Sequence, residues 1–143
     1  MKVTSIESIT CRVPVGEKAA NCGIGPDIRA TRVTTDAGIT GYEFLATTPR
    51  ALERARKIVL GQNPHDIERF LQEGLVRCPA VETALWDIVG KAAGLPIKKL
   101  FGRVRDRIPC YLTCVWPGKG DQSEVSYEKQ AEDLKHYKDH GFK

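Results

Sequence analysis

Two histidines near the end of the chain have the spacing of a helical metal site. His136 and His140 are four residues apart in a predicted helix, so both rings would lie on one face, as metal-binding histidines do. A lasting protein metal site needs three or more ligands, and no third ligand accompanies this pair. We therefore interpret both as surface residues, and His65, which follows Pro64 in a predicted first helical turn, as solvated.

The cysteines could form disulfides or bind zinc. Cys110 and Cys114 would point the same way on a strand, but no second pair completes four zinc ligands. An odd number of cysteines at irregular spacing argues against a disulfide framework and for a reducing compartment, so we expect a cytoplasmic protein. The five cysteines are Cys11, Cys22, Cys78, Cys110 and Cys114.

The composition is that of a globular protein large enough to bury a core. The chain has 143 residues, 41% of them hydrophobic and 28% charged. No apolar run approaches the roughly 20 residues that cross a bilayer, and the N-terminus lacks the pattern of a secretion signal, so we expect no membrane partner. The densest basic run lies between Lys98 and Arg107. It has no recognition helix or aromatic platform beside it, so we expect no nucleic-acid partner.

The strongest helix prediction covers the stretch from Cys78 to Pro96. Pro79 suits a first helical turn, and Gly94 suits the left-handed position after the last turn. Asp87 and Lys91 are spaced to form an ion pair on the thin polar face. Apolar residues cover the other sides, so we expect a helix packed between two layers. They are Val81, Ala84, Leu85, Trp86, Ile88, Val89, Ala92, Ala93 and Leu95.

The remaining segments predict strands first and helices afterwards. Strands are expected at 2–13, 28–35 and 39–45, with Gly38 in the turn between the last two. Helices are expected to begin at Thr48-Pro49 and Asn63-Pro64. Residues 107–116 then predict another strand, and a helix follows from Ser126 to Gly141. The predicted fold class is α+β: a three-stranded antiparallel sheet, a helical bundle and one further strand–helix unit.

Several of these segments together resemble one protein family. The motifs Thr35–Tyr42, Ala84–Ile88, Gly94–Pro96 and Leu100–Gly102 are similar in order and spacing to the N-terminal capping domain of the enolase superfamily. The similarity is greatest to the mandelate racemase and muconate lactonising enzyme branch. It implies a capping domain over residues 1–107, and over 108–143 the first βα unit of an incomplete (β/α)8 barrel.

The resemblance also implies a chemistry. Members of this family abstract a proton next to a carboxylate, and Mg²⁺ stabilises the product of that step. The substrate would be an acid sugar or hydroxy acid, the enzyme a racemase or sugar-acid dehydratase, and the assembly a homo-oligomer. The catalytic and metal-binding residues come from later barrel strands, so the resemblance assigns no catalytic residue and no metal ligand to this chain, which we expect to be inactive alone.

Three residues are substrate-contact candidates under this resemblance. Asn21 and Cys22 lie in the glycine-rich segment 15–27, which corresponds to the family loop that folds over the barrel mouth. Thr113 corresponds to a position where some relatives place a polar group near the substrate carboxylate. The alternative for Asn21 and Cys22 is a solvent-exposed linker.

A function of a different class is also open. The chain could act by itself as a capping-domain module that binds a partner or associates with its own copies. A single βα unit cannot close a barrel, so it would leave unpaired strand edges and apolar surface exposed.

Overall fold

The computed structural model describes residues 1–14, 25–102, 105, 107–111 and 127–142. The described residues fall into two compact units. The first contains residues 1–12 and 27–102, and the second contains 13–14, 25–26, 105, 107–111 and 127–142.

The first unit begins with a three-stranded antiparallel sheet. Its strands are β1 (Val3–Arg12), β2 (Asp27–Thr35) and β3 (Thr40–Glu43), arranged in the order β1-β2-β3. A tight turn joins β2 to β3, and Gly38 adopts there the positive φ of 75° that glycine tolerates best. The predicted sheet and hairpin are confirmed, although β3 ends at Glu43 rather than at residue 45.

Four α-helices and one 3-10 helix complete the first unit. They are α1 (Pro49–Val59), α2 (Ile67–Gln72), the 3-10 helix Leu75–Arg77, α3 (Pro79–Ala93) and α4 (Ile97–Leu100). Their apolar side chains meet the inner face of the sheet in one core. That core contains Val3, Ile6, Val33, Ala55, Val59, Ile67, Phe70, Leu75, Cys78, Val81, Ala84, Leu85 and Ile88.

Helix α1 begins where the sequence predicts. The Thr48 side chain accepts a hydrogen bond from the Ala51 N–H at 3.3 Å, and Pro49 occupies the first helical position. Ala55 and Val59 face the core. The Arg56 guanidinium donates to the Ile6 carbonyl of β1 at 2.9 Å and 3.1 Å, which ties α1 to the sheet.

Helix α2 begins later than predicted. The Asn63 side-chain oxygen accepts a hydrogen bond from the His65 N–H at 3.2 Å, a local turn that competes with a helix start. The helix therefore starts at Ile67, and it ends before Gly74, whose φ is 105°. Leu75 is buried and belongs to the 3-10 helix that follows α2.

Helix α3 is the central helix, with the predicted ends. Gly94 has a φ of 64° and its N–H bonds back to the Gly90 and Lys91 carbonyls. The helix packs on β2 and β3 on one side, and on the 3-10 helix, α2 and α4 elsewhere. The prediction that apolar residues along the whole helix are buried is wrong at its C-terminal end. Because the helix extends past the core, Ala92, Ala93 and Leu95 are exposed.

The described part of the second unit contains one helix, α5 (Tyr127–Asp139). The strand predicted from residue 107 is wrong for residues 107–111, which are not in a strand. A strand exists only through hydrogen bonds to a neighbouring strand, and among the described residues none pairs with this segment. Residues 112–116 lie outside the described part. None of the helices in the described ranges is both long and apolar enough to span a membrane.

Candidate functional site

The three predicted substrate contacts cannot be placed in a site. Asn21, Cys22 and Thr113 all lie outside the described residues, which resume at Gly25 and at Tyr127 on the C-terminal side of these positions. Their roles therefore remain predictions.

The histidine pair is on one helix face, as predicted. The His136 and His140 ring centroids are 4.3 Å apart, and the His140 Nδ1–H donates to the His136 carbonyl at 2.8 Å. Within the described ranges, no three His, Cys, Asp or Glu residues are grouped so that they could hold a metal ion.

A polar cluster of the first unit joins α3 to the edge of the sheet. We call it the edge clamp, consisting of Asp87 and Lys91 on α3 and Thr40 and Tyr42 on β3. Asp87 accepts a hydrogen bond from the Tyr42 N–H at 3.0 Å and pairs with Lys91 at 2.6 Å. Lys91 also donates to the Thr40 carbonyl at 2.7 Å, and its ammonium lies 5.3 Å from the centre of the Tyr42 ring.

The edge clamp depends on a glycine. Gly41 lies between the two clamped strand residues and is buried against α3. A Cβ atom there would lie 2.0 Å from the Ala84 carbonyl oxygen and 2.8 Å from Ile88 Cγ1. Only glycine allows the strand backbone to approach the helix backbone this closely.

The edge clamp has a structural role. The Asp87 carboxylate is held by the Tyr42 amide and the Lys91 ammonium, so it is already hydrogen-bonded. Backbone groups on the outer side of an edge strand otherwise offer a template for pairing with another chain. The clamp binds two of those groups, and it thereby fixes where β3 lies on α3. The sequence predicted the Asp87–Lys91 pair but not its contact with the strand, which Gly41 in a strand pattern could have indicated.

The pKa values of Glu7 and Cys78 are shifted in opposite directions. The hydrogen bond and charge of Arg32 lower the pKa of Glu7, its cross-strand partner in the sheet. Burial raises the pKa of the Cys78 thiol, which donates to the Ala51 carbonyl at 3.2 Å, and the nearby positive charge of Arg54 opposes that rise. A buried thiol with a raised pKa is a poor nucleophile, so Cys78 has a packing role.

Sequence reasoning missed a group of arginines between α1 and the 3-10 helix. Arg50, Arg54 and Arg77 line one surface depression together with Thr48 and Ala51. Arg77 is more than twenty positions away from the other two arginines in the sequence, so only the folded chain brings the three together. The concentration of arginines in 50–56 was the available signal.

A model of one protein family matches the chain. It is the model of the mandelate racemase / muconate lactonizing enzyme N-terminal domain, and it matches residues 28–102. That range covers β2, β3 and all helices of the first unit, including the edge clamp.

One relative and two solved structures show the extent of the similarity. D-galactonate dehydratase from Variovorax paradoxus is 29% identical over an alignment 126 residues long, which covers 75% of this chain and 32% of that protein. The structure of an enolase superfamily member from a Polaromonas species has a TM-score of 0.66 and 27% identity, covering 99% of this chain and 42% of that one. The structure of a mandelate racemase/muconate lactonizing enzyme from a marine actinobacterium in complex with magnesium has a TM-score of 0.51 and 32% identity. It covers 73% of this chain and 33% of that one.

The chain thus spans about a third of the length of the D-galactonate dehydratase that it matches. The family match extends over β2, the hairpin and the central helix, whereas β1 lies before the matched range. The chain belongs to the mandelate racemase/muconate lactonizing enzyme family of the enolase superfamily, and its first unit is the N-terminal domain of that family.

Proposed function

We propose that this chain is the N-terminal portion of a Mg²⁺-dependent sugar-acid dehydratase. The observation that carries the proposal is the match of residues 28–102 to the family's N-terminal domain. The similarity to D-galactonate dehydratase over 126 residues favours a dehydratase over a racemase. The substrate would be an acid sugar, whose carboxylate makes the neighbouring proton acidic enough to be removed once Mg²⁺ is bound.

The role of this chain in that enzyme is to cap the barrel. The edge clamp and the core fix the shape of the first unit, and residues from about 108 onward would begin the barrel. The described residues provide no group of three metal ligands, so the acidic ligands and the catalytic bases would come from other barrel strands. On this proposal the 143 residues alone catalyse no proton abstraction.

Asn21, Cys22 and Thr113 are the proposed substrate contacts of the chain. The proposal for all three rests on the family resemblance of their segments. In the complete enzyme, Thr113→Val should raise KM because it removes a hydroxyl without changing the side-chain shape, whereas Thr83→Val, at an exposed position of α3, should leave KM unchanged.

The experiment that tests the proposed function uses the reading frame that encodes the chain. If the frame continues beyond Lys143, a Lys-x-Lys motif is expected within about ten residues, followed by acidic residues at later strand ends. The protein from that longer frame should then dehydrate D-galactonate or a stereoisomer of it when Mg²⁺ is added. A longer frame without the motif, or one whose folded product dehydrates no sugar acid, would contradict the proposal.

A second candidate function is self-association of the chain. Large apolar side chains are exposed in the first unit: Phe44 is 71% exposed, Leu45 53% and Phe101 61%. Exposed apolar patches mark surfaces that contact another protein or domain. Sedimentation separates the two functions, because a discrete dimer of the 143 residues supports self-association and a monomer at all concentrations contradicts it.

A further inference from the structure

We propose that the depression between α1 and the 3-10 helix binds a multiply charged oxyanion. This arginine depression is lined by Thr48, Arg50, Ala51, Arg54 and Arg77 and has a volume of about 290 Å³. All three of its charged residues are positive. The inference is independent of the proposed function, because it depends on α1 and the 3-10 helix alone.

The first observation is that these arginines have no acceptor in the described part of the chain. The guanidinium groups of Arg50, Arg54 and Arg77 form no hydrogen bond or ion pair with a described residue, and only the backbone groups of these residues are hydrogen-bonded. Four of the five other described arginines of the first unit do have acceptors, and the fifth, Arg29, is exposed on β2. Arg12 binds Asp27, Arg32 binds Glu7, Arg56 binds the Ile6 carbonyl, and Arg69 binds Asp66 and Glu73.

The second observation is that the placement of these charges is unfavourable in the free protein. Arg50 lies in the first turn of α1, where the helix dipole favours negative charge, and that turn contains no acidic residue. Arg50 and Arg54 are four residues apart on the helix, a spacing at which like charges repel. Arg77 adds a third positive charge from the 3-10 helix.

Two carboxylates lie beside the depression without forming an ion pair with its arginines. Glu53 and Glu73 line a neighbouring depression that shares Arg50 and Arg54. Glu73 is bound to Arg69 at 3.1 Å, and Glu53 forms no ion pair with a described residue. Side chains that destabilise the fold, with no other contact to offset the cost, occur mostly at functional sites.

The chemistry of the lining selects the ligand. Guanidinium groups present planar pairs of donors that match the oxygens of phosphate and carboxylate. The Thr48 hydroxyl, whose oxygen accepts from the Ala51 N–H, has its own proton available to donate. A phosphate group or a polycarboxylate would satisfy these donors and offset the repulsion among the three arginines.

The test is a titration of the nitrogen-15-labelled 143-residue chain, followed by two-dimensional NMR. Inorganic phosphate and citrate are added separately at constant ionic strength. We expect saturable shifts at the amides of residues 48, 50–54 and 77 with at least one of the two anions. Arg54→Gln and Arg77→Gln should each weaken that binding about tenfold. The matched control is Arg29→Gln, which removes the same charge from an exposed position on β2 and should leave the affinity unchanged.

The titrations distinguish a phosphate ligand from a polycarboxylate, and specific binding from non-specific binding. Saturation by phosphate alone assigns a phosphate ligand, and saturation by citrate alone or by both assigns a polycarboxylate or a general oxyanion site. Shifts that do not saturate, or an equal weakening by Arg29→Gln, would overturn the proposal. Thermal unfolding without added anion is the second readout: Arg50→Gln should raise Tm because it removes repulsion, and a lower Tm would show that Arg50 serves the fold instead.

Discussion

The absence of a side chain at Gly41 determines how closely β3 approaches α3. Its backbone faces the Ala84 carbonyl at a distance that leaves no room for a methyl group. The polar contacts of the edge clamp on either side of Gly41 depend on that approach, since hydrogen bonds weaken steeply with distance.

Gly41→Ala should therefore destabilise the first unit by about 2–3 kcal/mol, because the new methyl group forces the strand away from the helix. Urea denaturation followed by circular dichroism measures this. The control is Gly25→Ala, where an added Cβ meets no atom within 4 Å, and its expected effect is within about 0.5 kcal/mol. Equal effects of the two substitutions would contradict the close approach.

Asp87 connects the strand and the helix in the edge clamp, so the loss of stability should depend on how many of its contacts a substitution removes. Asp87→Asn keeps an acceptor for the Tyr42 N–H but loses the charge pair with Lys91, at a cost of about 0.5 kcal/mol for a partly exposed pair. Asp87→Ala removes both contacts and should cost about 1–1.5 kcal/mol. The same denaturation experiment measures both, and a neutral Asp87→Ala would show that the clamp contributes nothing to stability.

Cys78 gives the first unit a pH dependence on the alkaline side. Burial raises the pKa of its thiol, so above the pKa of a free thiol the unfolded chain loses a proton that the folded chain keeps. The free energy of unfolding should therefore fall as pH rises past about 8.5. Cys78→Ala should show a shallower decline between pH 7 and 10, and an unchanged slope would contradict the assignment to Cys78.

At the scale of elements, α3 has a buried part and an exposed part. Ile88 is fully buried, whereas Leu95, on the same predicted apolar stripe, is 43% exposed beyond the helix end. Ile88→Ala should cost about 2–5 kcal/mol because it leaves a cavity, and Leu95→Ala should cost less than about 1 kcal/mol. Chemical denaturation of the two variants checks this. Similar losses would mean that the core extends to the end of the helix.

Local chemistry made the element boundaries of the first unit predictable. Thr48 and Pro49 begin α1, Gly38 forms the hairpin turn, and Pro79 and Gly94 bound α3, as the sequence predicts. Each of these signals acts within a few residues of its own position.

The features that the sequence analysis predicted wrongly or did not predict depend mostly on contacts between distant segments. The extent of burial along α3 depends on where the core ends, which the apolar stripe alone does not give. The contact of Asp87 and Lys91 with β3 joins residues more than forty positions apart, as does the reach of Arg56 to Ile6. The start of α2 is a local exception, because the Asn63 side chain favours a turn over the predicted helix start.

At the scale of the whole molecule, the two units differ in what supports them. The first unit has a core, a paired sheet and a family match over most of its length. The described part of the second unit consists mainly of α5, and its side chains from Glu128 onward are exposed or half-buried. The proposed function leads us to expect this contrast. In a (β/α)8 barrel, each βα unit is buried by the neighbouring βα units of the closed ring.

Under the proposed function, these residues shape a sugar-acid dehydratase without supplying its chemistry. Proton NMR of D-galactonate in deuterated water with Mg²⁺ and the purified 143-residue chain tests this. We expect the signal of the proton next to the carboxylate to decay no faster than in a protein-free control. A decay rate that increases in proportion to the concentration of the chain would contradict it.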